Sequence, residues 1–467
     1  ALGIMHILVR DDRCDWAYIA NHTIGFERLE REVLPHFGPQ RVAAITGLGV
    51  DEIERFAALY GGAKASFIRL GEGMTRLAHG GQALRAVALL PGFTGAYGRR
   101  GGGSLLYTGD FGGFDSDAVG KPSGPTATRT VNHLRLGEAL LQLTDPPIRA
   151  LFVASNNPAV TCPDVGKVRR GLARDDLFTV VHDPFMSVTA RFADLVLPAA
   201  IYLETEDLYR AYGTYYMQYA PRAVAPRGLA WSNFQLAQAL AGRMGLTDPV
   251  FQMPEQGAMR ELFRAGNCRT RDTALDRDAR RAAAFDPDAV RTAGPIRIAP
   301  ADAQRFTTPS GKLEFYSQSL ADRGSAAMPD WRPDPEEQAL AARWPLRLLT
   351  APGYFQPHTT YSGVHSLRQQ ERAPVCILHP DEAKSRQLRD GQYVCLFNDL
   401  GTVGLVLKIS DEVQMGVAFV PGQRRDDETL SGTVNMLCSD RYTDMGDGAT
   451  YQSTWLEVTA WDAVLSS

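Results

Sequence analysis

The sequence predicts an α/β region built on a parallel sheet over residues 1–345, followed by a closed β-barrel over residues 346–467. Two observations carry that division. Through the first part, short apolar runs alternate with helical patterns, which is how parallel strands and their crossover helices read. Beyond residue 346, five or six short strands follow one another with turn residues between them and a single helix, the texture of a small barrel. The length agrees, since 467 residues at roughly 150 per domain give about three domains.

Residues 1–60 read as helices. In 1-ALGIMHILVR-10, Ala1, Leu2, Met5, Leu8 and Val9 share one face, yet no N-cap precedes them, as expected of a chain cut inside an element. The run 50-VDEIERFAALYGG-62 is the clearest helix, with a Gly-Gly stop. A strand at 64-KASFIRL-70, a loop at 71-GEG-73 and a helix through 82-QALRAVALL-90 make one βα unit. The glycine clusters 101-GGG-103, 109-GDFGG-113 and 120-GKPSG-124 predict a long shaped loop over 91–130.

A second, sharper unit follows. The strand 148-IRALFVAS-155, turn 156-NNPAVTCPD-164 and helix 165-VGKVRRGL-172 lead to the strand 177-LFTVVHD-183, helix 187-SVTARFA-193 and strand 194-DLVLPAA-200. Such alternation predicts a parallel sheet with helices on both faces. Ligands then sit at the carboxyl ends of the strands, here 71-GEGMTR-76, 155-SNNP-158 and 182-HDPFMS-187. The Arg-, Asp- and Ala-rich stretch 261–305 reads as a solvated helical face or an insertion, and the proline-broken stretch 321–338 as a linker. Barrel strands are expected at 346–351, 374–379, 392–398, 402–410, 416–421 and 454–460, with a helix at 380–388.

Composition removes several functions. The 49 basic and 53 acidic residues leave a net charge of −4, which excludes a nucleic-acid partner held by a basic surface. With 44% hydrophobic and 22% charged residues the chain is too apolar to be disordered. No apolar run reaches the length of a membrane span, and 193-ADLVLPAAIYL-203 is interrupted by Asp194 and Pro198. Cys14, Cys162, Cys268, Cys376, Cys395 and Cys438 lie far apart without a C-x-x-C pair. They read as reduced thiols of a cytoplasmic protein, and they supply no iron–sulfur or zinc site of the usual spacing.

The chain carries no Walker A, H-E-x-x-H, G-x-S-x-G or complete G-x-G-x-x-G pattern. In 71-GEGMTR-76, Gly71 and Gly73 would let backbone approach a phosphate that Arg69 and Arg76 neutralise; an ordinary tight turn reads the same way. Asn156 and Asn157 can pair with a purine edge or cap a helix. His182 and Asp183 end a buried strand, where Asp183 either accepts from guanine or ribose or caps a turn. Glu204, Glu206 and Asp207 read as an acid–base pair or as a charged helix start.

In combination these pieces say more. The order R-x-G-x-G-x-x-R, S-N-N-P-A-x-x-x-P-D and V-x-D-x-F-x-x-x-T-A-x-x-A-D-x-V-L-P-A, then H-T-x-Y-S and V-N-x-L near the end, spans most of the chain. It resembles the catalytic subunits of the molybdenum or tungsten bis-molybdopterin guanine dinucleotide oxidoreductases, among them formate dehydrogenases, nitrate reductases and dimethyl sulfoxide reductases. The segment 179–207 is the most specific part.

The resemblance implies a parallel-sheet dinucleotide-binding region followed by a carboxyl-terminal double-psi-type β-barrel, with two molybdopterin guanine dinucleotides between them. It places Arg69, Gly71, Gly73 and Arg76 beside a phosphate or pterin, Asn156, Asn157 and Pro158 at a guanosine, and His182 and Asp183 at the next strand end. Thr350, His358 and Thr359 match a loop over the pterins, and Asn435, Tyr451 and Gln452 match later cofactor contacts. Thr189 and Asp194 belong to the motif but serve capping and packing; His365 and His379 read as structural. The implied activity is two-electron transfer between a small-molecule substrate and the metal, relayed singly through an iron–sulfur subunit. The family's amino-terminal 4Fe-4S segment and its metal ligand are expected to precede Ala1, so the fragment alone is expected to be inactive. The competing reading is a structural electron-transfer subunit that keeps the fold without molybdenum.

Overall fold

The computed structural model describes residues 1–107, 128–210, 216–265, 296–297, 306–371 and 373–461. Its first layer is helical. Helix Leu2–Arg10 buries Leu2, Ile4, Met5, Ile7 and Leu8, a wider apolar surface than the single face expected. It packs on helix Val50–Gly62, where Gly61 makes the approach possible: a Cβ there would stand 2.6 Å from Leu8 Cδ2. Phe26, Phe93 and Phe315 close this core edge-to-face, with centroids 5.1–5.8 Å apart.

The first βα unit pairs Phe67–Arg69 in parallel with Gly103–Leu105. Part of the expected loop over 91–130 is therefore strand. The glycines allow it, because Gly103 adopts φ 103° and a Cβ on Gly102 would stand 3.1 Å from the Ala96 carbonyl carbon. The remaining expected loop, 108–127, and most of 261–305 lie outside the described residues.

The second unit is a parallel sheet of Ala150–Ala154, Phe178–Asp183 and Leu195–Pro198, in that order. Its register aligns Ala154, His182 and Leu197 at one end. Helices Pro158–Thr161 and Val165–Leu172 contribute Val160, Val168 and Leu172 to the core on one face. The other face leaves Phe152, Phe178 and Leu195 about half exposed, so among the described residues only one face is covered rather than two. The expected helix over 187–193 shortens to one 3-10 turn, Ala190–Phe192. Local side-chain bonds explain this: Thr189 donates to Asn157 Oδ1 at 2.7 Å, and Asp194 accepts from Thr179 N–H at 2.7 Å. Both tie the segment to neighbouring loops instead of to its own helix.

The expected linker at 321–338 is packed structure. Leu313–Glu314 pairs with Thr23–Ile24, Arg85 donates to the Ala326 and Ala327 carbonyls, and Asp334 caps helix Pro335–Arg343 through the N–H groups of Glu336 and Glu337. Pro335 opens that helix at its first position, where a proline fits, instead of breaking an extended tether.

The barrel is closed and six-stranded. Around it run Leu346–Ala351, Val417–Pro421, Val375–Leu378, Thr402–Ile409, Tyr393–Phe397 and Trp455–Ala460, which returns to the first. Two neighbouring pairs are parallel and the others antiparallel; apart from the hairpin of Tyr393–Phe397 and Thr402–Ile409, strands consecutive in sequence are not neighbours. Alternation explains the core: Leu346, Leu348, Leu378, Val394, Leu396 and Leu456 point inward and are fully buried. Among the described residues no helix is long and apolar enough to cross a membrane.

Candidate functional site

The strand-end loops of the α/β region face the barrel, and hydrogen bonds set that arrangement. Gln452 N–H donates to the Arg76 carbonyl at 2.9 Å, and Ala78 N–H donates to Ser453 Oγ at 2.8 Å. Asp444 caps helix Gly80–Phe93 by accepting from Gly81 and Gln82 N–H, a favourable place for a carboxylate. At the second unit, Asp164 N–H donates to the Cys438 carbonyl at 2.7 Å, and Arg169 forms a bidentate pair with Asp426 at 2.7 and 2.8 Å. The third loop meets the barrel through packing, since a Cβ on Gly363 would stand 2.7 Å from Phe185 Cε1.

The glycine loop becomes a 3-10 turn, Glu72–Arg76. Gly71 and Gly73 are exposed, and a Cβ on either would meet nothing within 4 Å. Gly71 has φ −110°, which any residue adopts. The chain itself therefore gives no steric reason for this pair, whereas an approaching ligand would. Arg76 holds Glu72 loosely at 3.6 Å, and the exposed Arg69 donates to the Leu70 and Leu106 carbonyls.

The Ser155–Pro158 loop is divided. Asn156 is exposed and accepts from Asn157 N–H through Oδ1. Asn157 is buried, and its Oδ1 accepts from both Thr189 N–H and Thr189 Oγ1. Pro158 opens its short helix at the position where a missing N–H does no harm. Beside them, Asn233 Nδ2 donates to Ser155 Oγ at 3.0 Å. That orientation leaves Asn233 Oδ1 to accept from His182 Nδ1 at 2.9 Å. His182 is thereby held as the Nδ1–H tautomer, with a buried Nε2 that has no partner. Asp183 Oδ1 accepts from Phe185 N–H at 2.9 Å, an Asx turn over Pro184.

The barrel residues are chiefly occupied with protein. Gln452 Nε2 donates to the Thr350 carbonyl at 2.8 Å and its Oε1 accepts from Thr350 N–H at 3.3 Å. Asn435 Nδ2 and Tyr451 Oη both donate to the Thr161 carbonyl at 2.8 Å. Burial pushes the Tyr451 phenol up, and Arg76 nearby opposes that shift. Tyr451 thus stands between the first two strand-end loops. His358 is exposed in the left-handed region at φ 55°, and Thr359 is half-buried beside it.

Other groups are structural. His379 caps helix Pro380–Ser385 through Asp381 N–H. The acidic segment 204–207 is no helix start: Glu204 accepts from Ile201 and Arg227 N–H, and Asp207 opens a strand. Backbone donors bend the chain there before a helix can begin. Burial pushes the Cys162, Cys376 and Cys438 thiols up to about 12, and Cys268 lies outside the described residues. Among the described residues no group of three or more His, Cys, Asp or Glu could hold a metal ion. Asn233 and the use of the Thr161 carbonyl as an acceptor carry no signal in the sequence, because their partners are distant and of unremarkable type.

Comparison with known proteins bears on the same two regions. The model of the molybdopterin oxidoreductase family matches residues 34–243, and that of the molybdopterin dinucleotide-binding domain matches residues 346–455. The chain belongs to the molybdopterin oxidoreductase family. The probable oxidoreductase YoaE of Bacillus subtilis is 34% identical over 98% of this chain and 66% of its own length. Dimethyl sulfoxide reductase DmsA of Escherichia coli is 25% identical over 96% of the chain and 62% of its own. The chain thus spans just under two thirds of these curated relatives. Acetylene hydratase from Pelobacter acetylenicus shares the fold, with a TM-score of 0.78 at 20% identity over 98% of this chain and 69% of that one. The three strand-end loops lie within the first matched region, and five of the six barrel strands lie within the second.

Proposed function

We propose that the intact protein is a molybdopterin oxidoreductase catalytic subunit that binds two molybdopterin guanine dinucleotides with molybdenum or tungsten. It would move two electrons between a small substrate and the metal in the cytoplasm, with an iron–sulfur subunit as electron partner and a 4Fe-4S cluster outside these 467 residues. The observation that carries the reading is the Gly71–Gly73 pair, open to solvent between two arginines and opposite the barrel. A cofactor phosphate fits such a place.

The residues fit the group in a definite division of labour. Arg69 and Arg76 would neutralise phosphate. Asn156 and Asp183 have exposed or half-exposed polar atoms for a guanine, and His182 Nε2 is an acceptor in want of a donor. His358 and Thr359 would lie over the pterins. Asn157, Pro158, Thr350, Asn435, Tyr451 and Gln452 would hold the loops in position through the bonds described above. When bound, the metal and its dithiolenes supply the redox chemistry, and the protein supplies orientation and electrostatics.

Elemental analysis of the purified full-length protein, with assay of guanosine monophosphate released from it, tests the reading. Molybdenum or tungsten with about two guanosine nucleotides per metal is expected from the ligand set of the resembled family. Protein free of both metal and nucleotide after cofactor-replete expression would overturn it.

A further inference from the structure

We propose that Glu371 is the positioning residue of the loop 352–364, the segment that carries His358 and Thr359. The proposal rests on the reading that this loop lies over the cofactor.

The geometry starts from the helix that follows the loop. Glu371 ends helix His365–Glu371, and its carboxylate turns back to the loop's start. Oε1 accepts from Tyr354 N–H at 2.9 Å, while Oε2 accepts from Phe355 N–H and, at 3.2 Å, from Gln356 N–H. Three successive backbone donors therefore converge on one carboxylate. Gly353 makes room for it: a Cβ there would stand 2.8 Å from Glu371 Cδ and 3.2 Å from the Gln356 carbonyl.

The anchor continues into the barrel. Arg424 follows strand Val417–Pro421 and lies between the Glu371 carboxylate at 3.6 Å and the Glu428 carboxylate at 3.9 Å. It also donates to Gln356 Oε1 at 3.3 Å and to the Glu371 carbonyl at 3.4 Å. Arg368 pairs with Glu428 at 3.1 Å. Glu371, Arg424 and Glu428 are each more than nine-tenths buried at the side chain.

Buried ion clusters are weak sources of stability, because desolvation of each charge offsets the attraction. What this one delivers is a single conformation. The loop needs it, since His358 and Tyr361 both sit in the left-handed region, at φ 55° and 64°, a conformation that persists only where its surroundings enforce it. At its far end the loop leans on Phe185 through Gly363, so the anchor sets how the barrel meets the His182–Ser187 loop.

The test uses the full-length protein purified with its cofactor, beside Glu371→Gln and Gly353→Ala. The first removes the charge and turns one acceptor into a donor; the second places a methyl in the carboxylate's seat. Two quantities are read: hydrogen exchange of the Tyr354, Phe355 and Gln356 amides, and molybdopterin released per folded protein. Both variants are expected to exchange those amides about tenfold faster, as loss of a charge-assisted hydrogen bond implies, and to retain severalfold less molybdopterin. Unchanged exchange would overturn the anchor. Faster exchange with full molybdopterin content would overturn the positioning role. Wild-type protein without molybdopterin would instead defeat the underlying reading, and amide exchange would still judge the anchor. If Glu371→Gln does not fold, Gly353→Ala decides.

Discussion

Tyr451 and Asn435 converge on one acceptor, the Thr161 carbonyl, each at 2.8 Å. Thr161 ends the helix Pro158–Thr161, where carbonyls lack intrahelical partners, so the barrel completes the cap of a helix in the other region. Asn435 is 1% exposed, and the site offers little room for water to take over. Tyr451→Phe alone is expected to cost about 1 kcal/mol, because one donor remains. Tyr451→Phe with Asn435→Ala strands the carbonyl and should cost more than the two single losses together. Denaturant midpoints of the two single variants and the double variant give the coupling directly; strict additivity would show that the two donors act independently.

Substitution at Gly71 separates the proposed phosphate contact from stability. Neither Gly71 nor Gly73 has a neighbour that a methyl would strike, so Gly71→Ala should leave the thermal midpoint unchanged or raise it slightly, by up to about 1 kcal/mol. Molybdopterin content should nevertheless fall if a phosphate lies against that backbone. Arg76→Ala should behave alike: its pair with Glu72 is loose and worth at most about 1 kcal/mol, whereas a lost phosphate contact lowers affinity roughly ten- to a hundred-fold. Cofactor content beside a melting curve checks both, and full content in both variants would remove the phosphate from this loop.

The turn at Asp183 and the proposed guanine contact can be tested separately. Oδ1 accepts from Phe185 N–H, and Asp183→Ala should cost about 1 kcal/mol for that turn. Asp183→Asn keeps a carbonyl for the turn but replaces the second acceptor by a donor. It should hold the midpoint while lowering guanosine nucleotide content, if the carboxylate accepts from guanine. Equal nucleotide content in wild type and both variants would leave Asp183 a turn residue.

Asp334 gives the stability a pH dependence of known sign. Burial alone would raise its carboxyl, but Arg441 and the Glu336 and Glu337 N–H groups outweigh that and hold it below the ordinary carboxylate range. The folded value lies under the unfolded one, so this contribution is fully present above the ordinary carboxylate pKa and is lost as pH falls through the folded value. Arg441→Met should destabilise by about 2 kcal/mol at neutral pH. It should also flatten, relative to wild type, the decline as pH falls below the ordinary carboxylate pKa of about 4. Chemical denaturation across that decline measures it; parallel curves would contradict the assignment.

Much of the fold was legible in one dimension. Short apolar runs between turn residues marked the barrel strands, and the structure shows the two-residue repeat of a strand with one buried face in Leu346, Leu348, Val394 and Leu396. The strand at 177–183 and the helix at 165–172 were equally plain, the first as an apolar run ending in polar residues and the second as an amphipathic segment. Three misreadings share one cause. Strand Gly103–Leu105, the packed segment around Asp334 and the unwound 187–193 stretch each depend on partners far off in sequence. Gly103–Leu105 becomes strand only because Phe67–Arg69 lies beside it. Thr189 leaves its helix only because Asn157 accepts from it.

The candidate site divides along the same line. Residue type and order determined which loops could meet a cofactor, for glycine between arginines and polar residues at strand ends have a meaning that needs no neighbours. Which atoms remain free was decided by tertiary structure alone. Asn156 and Asn157 are adjacent and chemically identical, yet one is exposed and the other spends its carbonyl on Thr189. His182 acquires its tautomer from Asn233, 51 residues away. Glu371 finds its three donors by turning back across its own loop. Side-chain chemistry is a local property that sequence carries in full, whereas a hydrogen bond belongs to a pair, and distant pairs exist only once the chain has folded.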